Sequence, residues 1–372
     1  MDQAGMAPAT LVVLGGFILA FVFGAVANRA NFCTMGAVAD IVNMGHWGRM
    51  RMWVLAIAVA MIGANLLYMS GLVDLSQSIY QRPRLRWLSL LVGGAFFGIG
   101  MSLAGGCANK NLLRVGGGSV RALVVLTFLG ISAYMTLRGL FGQWRTNWLD
   151  PVFVYLPTFG LSDQSLASIV ALVTGMSMGA ALVITLSAVA LALLVFVFKD
   201  KRFRGNVVQW RAGVVIGLIV AVGWYITGHL GFGENPETLE DVFFATNTRT
   251  LESMSFVAPV AFLLEMLLFW TDQRMTFGIA AVLGVVAGSM MWALWSKSFR
   301  WEGFASFDDL RNQIIGGMLM GFGGVTALGC TVGQGITGVS TLAVGSFIAL
   351  AGILAGSAVT LKYMAWRAER EA

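Results

Sequence analysis

The sequence predicts an all-α polytopic membrane protein of about eight to ten hydrophobic helices, with two short re-entrant or broken Gly-Cys elements inside an internal inverted repeat. Three observations predict it: an apolar composition, recurrent bilayer-length apolar runs, and a glycine-cysteine pattern that occurs twice.

Apolar residues make up 58% of the 372 positions and charged residues 11%, against roughly 25% charged in soluble domains. A water-soluble chain of this length needs more polar surface than that. Apolar runs cover 10–27, 53–71, 87–104, 120–133, 176–198, 212–226, 256–270, 277–295, 314–328 and 339–361, most of them near the roughly 20 residues that cross a bilayer as helix. They do not alternate, which excludes a β-barrel. No basic n-region precedes Ala7, so the first run reads as a retained helix. Trp144, Trp148, Trp210, Trp270, Trp295 and Trp301 lie near run ends, as interfacial anchors do. The net charge of +6 suits basic loops facing a cytoplasm and gives no argument for nucleic acid.

Cys33, Cys107 and Cys330 are far apart in sequence, with no CxxC pair and no His-rich spacing. That argues against a metal centre, a cofactor or a disulfide framework. His46 and His229 read as loop or interfacial side chains.

Gly93, Gly94, Gly98, Gly100, Ala104, Gly106 and Cys107 recur in register as Gly316, Gly317, Gly321, Gly323, Ala327, Gly329 and Cys330. A weaker second match sets Arg29, Phe32 and Cys33 against Arg274, Phe277 and Gly278, implying an extra segment over 34–51 in the first half. The expected division is a single transport domain over 1–372, with a first repeat over 9–141, connecting helices and loops over 142–248, and a second repeat over 249–366. Paired repeats with glycine-interrupted apolar segments are the sequence trace of a secondary transporter, whose substrate site lies at the repeat interface near the midplane. If the two cysteine windows dip in and return, the run Lys199, Lys201, Arg202, Arg204 and Arg211 shares a side with Arg82, Arg84, Arg86, Arg274, Lys362, Arg367 and Arg370. The acidic loop of Glu234, Glu237, Glu240 and Asp241 then lies opposite.

A thiol in a glycine-lined constriction is a polarizable weak donor suited to a soft, sulfur-bearing anion. Asn109, Asn111, Thr331 and Gln334 supply polarity beside the thiols, Gly106 and Gly329 supply backbone, and Lys110 and Arg114 can draw anions from one side. Lone membrane cysteines are more often packing residues, and duplication within matched elements reverses that for Cys107 and Cys330. Cys33 stays evenly balanced. Glu265, costly in lipid, is a candidate for proton coupling or a neutral hydrogen-bonded group. Asn65 reads as interhelical glue, and Asp40 and Asn43 as loop caps.

Asn31-Phe-Cys33-Thr-Met-Gly36, Gly105-Gly-Cys107 and Leu328-Gly-Cys330-Thr-Val-Gly333 resemble the YeeE/YedE family of sulfur transporters, over nearly the whole chain. The resemblance implies an hourglass-shaped, multi-pass permease of the bacterial inner membrane that imports thiosulfate or a related sulfur anion. It implies that substrate passes along Cys33, Cys107 and Cys330 by S–H···S hydrogen bonds, and that a small cytoplasmic sulfurtransferase-like protein is a partner. Segments 146–164 and 234–241 have no match in the family's minimal pattern. The competing readings are a membrane thiol oxidoreductase or sulfurtransferase, a carrier of selenium or other sulfur compounds, and a structural or sensory subunit.

Overall fold

The computed structural model describes residues 3–235, 238–271, 274–304 and 306–371; Glu237 of the acidic loop lies outside them. The chain is helical nearly throughout: α1 (Gln3–Arg29), α2 (Thr34–Met44), α3 (Gly48–Met69), α4 (Trp87–Leu103), α5 (Ala108–Gly116), α6 (Val120–Arg138), α7 (Leu140–Trp144), α8 (Leu166–Thr174), α9 (Met178–Phe198), α10 (Lys201–Gly205), α11 (Val207–Tyr225), α12 (Val257–Leu268), α13 (Phe277–Trp295), α14 (Phe307–Thr326) and α15 (Val344–Glu371). Two small antiparallel two-stranded sheets complete it, β1 (Arg84–Leu85) with the distant β2 (Val154–Tyr155) and the hairpin of β3 (Phe232–Glu234) with β4 (Asp241–Phe243). Among the described residues, eight helical stretches are long and apolar enough to cross a membrane. α12 is shorter, and α14 opens on Asp308 and Asp309. Ser119, Asn206, Thr276 and Ser306 start α6, α11, α13 and α14 by accepting a backbone N–H two or three residues into the helix.

Two ends can be told apart. At one, Arg51 pairs with Asp200 at 3.5 Å and Trp47 packs on Phe196; this is the Lys199 end. At the other, Arg86 pairs with Asp150, Gln164 donates to the Arg82 carbonyl, and Ser165 bridges to Ala343; this is the Arg82 end. The segment over 146–164 belongs to it, since β2 pairs with β1. The β3–β4 hairpin carrying Glu234 and Asp241 is also there, tied to the end of α11 by the Phe244 amide on the Gly231 carbonyl.

Helix contacts come in pairs that exchange α1–α6 for α11–α15. α1 packs on α13 as α11 does on α3; α4 packs on α15 as α14 does on α6; α12 lies against α6 as α2 does against α15. α4 and α14 cross antiparallel at the centre. A Cβ on Gly93 would lie 2.9 Å from the Gly323 carbonyl oxygen, and one on Gly316 2.7 Å from the Gly100 oxygen. Since Gly93 and Gly316 are sequence counterparts, as are Gly100 and Gly323, the crossing is reciprocal, the signature of a two-fold relation. Small residues let backbones approach to this distance, and dispersion and weak C–H···O contacts hold helices where lipid offers no hydrophobic drive.

Three expectations are corrected. The cysteine windows do not dip and return: α4 starts beside Asp150, yet Gly118 beyond α5 meets Arg300, and α14 starts where Asp309 binds Arg121, yet Val344 bonds to the Gln164 carbonyl. Each is a broken crossing. Hence Arg82, Arg84, Arg86 and Arg274 lie opposite the Lys199 to Arg211 run, while Lys362, Arg367 and Arg370, at the far end of α15, lie with it. The second sequence match also fails, because Cys33 caps the short α2 whereas Gly278 lies in the first turn of long α13. The contact exchange pairs α2 with α12 and α3 with α13, so the counterpart of the Phe32-Cys33 corner is Ser255-Phe256, and the proposed extra segment over 34–51 is α2 and the start of α3.

Candidate functional site

Each cysteine stands immediately before a short helix, and two residues before each the backbone turns left-handed: Asn31 at φ 53°, Gly105 at 65° and Leu328 at 58°. That turn lets a chain leaving a helix end and redirect within four residues. For Leu328 the conformation is strained, which surrounding structure must hold in place. Cys33 and Cys330 share the sequence Cys-Thr-x-Gly and the same geometry. The Gly36 amide donates to Cys33 Sγ at 3.4 Å and the Gly333 amide to Cys330 Sγ at 3.3 Å. Each sulfur is thereby anchored as an acceptor, leaving its own S–H to point elsewhere.

All three thiols are free and buried, Cys107 and Cys330 completely. Cys33 and Cys107 lie close enough for each to act on the other, and Thr331, next to Cys330, lies beside Cys107 with its buried hydroxyl unpartnered. The fold therefore gathers Cys33, Cys107 and the Cys330-Thr331 step into one buried line. Asn111 holds the Cys107 corner, its amide donating to the Gly106 carbonyl at 2.9 Å and the Cys107 carbonyl at 3.1 Å. Gln334 does the same at the other corner, donating to the Ala327 carbonyl at 2.5 Å. The Gly106 and Gly329 amides close turns on Met101 and Gly324. Among the described residues, the side-chain carbonyl oxygens of Asn109, Asn111 and Gln334, the Thr331 hydroxyl and the buried Trp53 indole N–H have no hydrogen-bond partner. Trp53 stacks on Phe32, ring centroids 5.4 Å apart, and lies against Gly335, so it touches both cysteine corners.

The line is reached differently from the two ends. At the Arg82 end a cavity of about 510 Å³ runs down to Leu328, Gly329 and Gln334, and its walls carry Arg82, Arg84, Arg86 and Arg145. Asp150 pairs with Arg86 and Arg145; Arg84 lies over the Phe153 ring. These arginines went unread as site residues; their only sequence signal is the Arg82-Pro-Arg84-Leu-Arg86 spacing ahead of the Cys107 helix. At the Lys199 end Lys110, bonded to Asn31 at 2.6 Å, and Arg114 lie near enough to Cys33 to act on its charge, and Arg49 lies over Gly36. Lys110 and Arg114 thus stand between the Cys33 and Cys107 corners, against Gly106, at this end of the line.

Other candidates fall outside the line. Glu265 is buried near the Arg82 end, accepting from the Tyr134 hydroxyl at 2.9 Å and facing Arg138 at 3.7 Å. Asp40 is buried on Arg49 rather than capping a loop. Asn65 bridges helices through the Met61 and Ser340 carbonyls. No cluster of three metal-ligating side chains occurs among the described residues.

A multi-pass membrane fold of two exchange-related halves, with three buried thiols between a basic cavity and a basic corner, defines a polytopic membrane protein with a thiol-lined interior site. The chain belongs to the sulphur transport family, whose model matches residues 29–359. It is similar to the thiosulfate transporter TsuA of Escherichia coli (strain K12), 26% identical over 342 residues covering 87% of each chain. It is similar also to the thiosulfate transporter TsuA of Spirochaeta thermophila, 27% identical over 90% of this chain and 93% of that one.

Proposed function

We propose that this protein is a bacterial inner-membrane permease that imports thiosulfate or a related sulfur anion along Cys330, Cys107 and Cys33. The observation that carries the reading is the burial of all three sequence-distant cysteines at helix breaks, with Cys33 and the Cys330-Thr331 step both beside Cys107. The two named relatives supply the substrate class. The two halves, α1–α6 and α11–α15 with α7–α10 between them, provide the paired framework.

Direction follows from charge. The Lys199 end carries Lys199, Lys201, Arg202, Arg204, Arg211, Lys297, Arg300, Lys362, Arg367 and Arg370, which makes it cytoplasmic by the positive-inside rule. The Arg82 cavity then opens outward, and its arginines concentrate anions at the Cys330 corner. Beyond it the row offers weak thiol donors and polar side chains in place of arginines, so a dianion is held without being trapped. Inward movement of a dianion opposes the membrane potential by about 4.6 kcal/mol per 100 mV, twice the roughly 2.3 kcal/mol per charge. Uptake therefore needs coupled protons or consumption of the anion inside, the place for a cytoplasmic sulfurtransferase-like partner at the Cys33 end.

The meeting of two thiols also fits a sulfurtransferase that passes a persulfide from one to the other. Purified protein in liposomes tests both readings. Permeation predicts labelled thiosulfate inside with all three cysteines unmodified by mass spectrometry; a persulfide on Cys33 or Cys107 during turnover contradicts permeation and supports sulfur transfer.

A further inference from the structure

The inner wall of the Arg82 cavity carries polar groups that neither the thiol row nor the arginines account for. Ser346 and Gln334, each 1% exposed, present an unpartnered hydroxyl and an unpartnered carbonyl oxygen, and both line the cavity. Tyr80, 6% exposed, lines it too, held edge-on against Trp224 at 6.3 Å. The three converge on Gly338: a Cβ there would lie 2.8 Å from Gln334 Oε1 and 3.0 Å from the Tyr80 ring, and would overlap the Ser346 hydroxyl. Ser255, beside Gly333, adds a third hydroxyl to the same wall. Tyr80 is close enough to Cys330 and to Glu252 for each to act on its phenol.

We propose that Tyr80 and Ser346, with Ser255 beside them, form a seat for the oxygen-bearing end of the incoming anion, so that its terminal sulfur faces Cys330. The inference rests on the reading of the protein as a thiosulfate permease and assigns the orientation in which substrate meets the first thiol. Hydroxyls are neutral donors, and two or three of them match the oxygens of a sulfonate-like group without the binding energy of an ion pair, which would hold a dianion too long for transport. Burial, with the nearby Glu252 carboxyl adding to it, keeps the phenol protonated and therefore a donor. A buried hydroxyl without a partner is costly, and an anionic oxygen supplies the missing acceptor for Ser346. Gln334, its amide fixed on the Ala327 carbonyl, closes the seat on the side of the constriction.

The test is the initial rate of labelled thiosulfate uptake into proteoliposomes by Tyr80→Phe and Ser346→Ala, each removing one hydroxyl and nothing else. Losing one hydrogen bond to a charged ligand should raise KM about ten-fold in each variant, with the maximal rate within about two-fold of the parent. An unchanged KM in Tyr80→Phe, or a lost maximal rate at unchanged KM, overturns the seat; this variant decides the matter if Ser346→Ala fails to fold. Cys330→Ala, measured in parallel, separates the two claims. Parental uptake by Cys330→Ala refutes the thiol row and leaves the KM result to decide the seat; abolished uptake there with unchanged KM in Tyr80→Phe keeps the row and refutes the seat.

Discussion

At the scale of single residues, the site depends on sulfur atoms whose acceptor side is already occupied. Gly36 and Gly333 donate to Cys33 and Cys330, and Asn111 clamps the carbonyls on either side of the Cys107 corner. Asn111→Ala should destabilise the protein by about 1–3 kcal/mol, because it strips two buried carbonyls of a donor; a melting curve in detergent that matches the parent would contradict this. Cys107→Ala should leave that curve nearly unchanged and cut uptake at least ten-fold, about 1.4 kcal/mol or more on the transport barrier. The candidacy of Cys107 and Cys330 was legible in the sequence because a rare residue recurs inside a matched glycine pattern. The place of Cys33 was not legible. Its neighbour is Cys107, seventy-odd positions away, and only the tertiary fold brings the two sulfurs near each other. The cavity arginines were hidden for a similar reason, since Arg82, Arg84 and Arg86 read from sequence as loop charge.

At the scale of elements, glycine decides how the halves meet. Gly100 and Gly323 each leave no room for a Cβ: at Gly100 it would stand 2.6 Å from the Gly316 carbonyl oxygen, and at Gly323 it would be driven into the backbone of Gly93 and Phe97. Gly323→Ala should therefore overpack the crossing by about 1–3 kcal/mol. The expected readout is a lower melting temperature and reduced folded yield, whereas Gly303→Ala, with open space around it, should behave as the parent. The glycine register was readable as repetition, and the structure gives its cause in the α4–α14 crossing. The misreading of Gly278 as the counterpart of Cys33 has an equally plain cause. A Phe-Gly pair opening a long helix and a Phe-Cys pair preceding a short one look alike over five residues, and only the helix that follows distinguishes them. The break-and-continue course of the cysteine windows was illegible because glycine runs interrupt a helix without showing which way the chain leaves.

At the scale of the whole molecule, charge and access set direction. The segregation of basic residues predicts that a cysteine placed at Lys201 is labelled by an impermeant maleimide only from the cytoplasmic face, and one placed at Glu240 only from outside; the reverse pattern would invert the orientation. The outer cavity also contains a half-buried carboxyl, Glu252, whose Oε1 accepts from the Thr248 amide and hydroxyl at 2.7 Å each. Loss of hydration is the largest effect on it and raises its pKa, against the Thr248 and Asn247 hydrogen bonds that pull the pKa down. Arg82, Arg84, Arg86, Arg145 and Tyr80 line the same cavity. Because the folded pKa is raised, the group is neutral below it and charged above it, and the charged form repels a dianion. Uptake should thus decline as pH rises through that raised value, and Glu252→Gln should flatten the decline; a parallel decline in the variant would dismiss Glu252 as its source. The measurement that tests the central claim most directly is thiosulfate uptake by the purified protein in liposomes, comparing the parent with Cys107→Ala and Cys330→Ala at matched protein amount. The thiol row predicts that both variants lose uptake while remaining folded and correctly inserted; parental rates in both would contradict it.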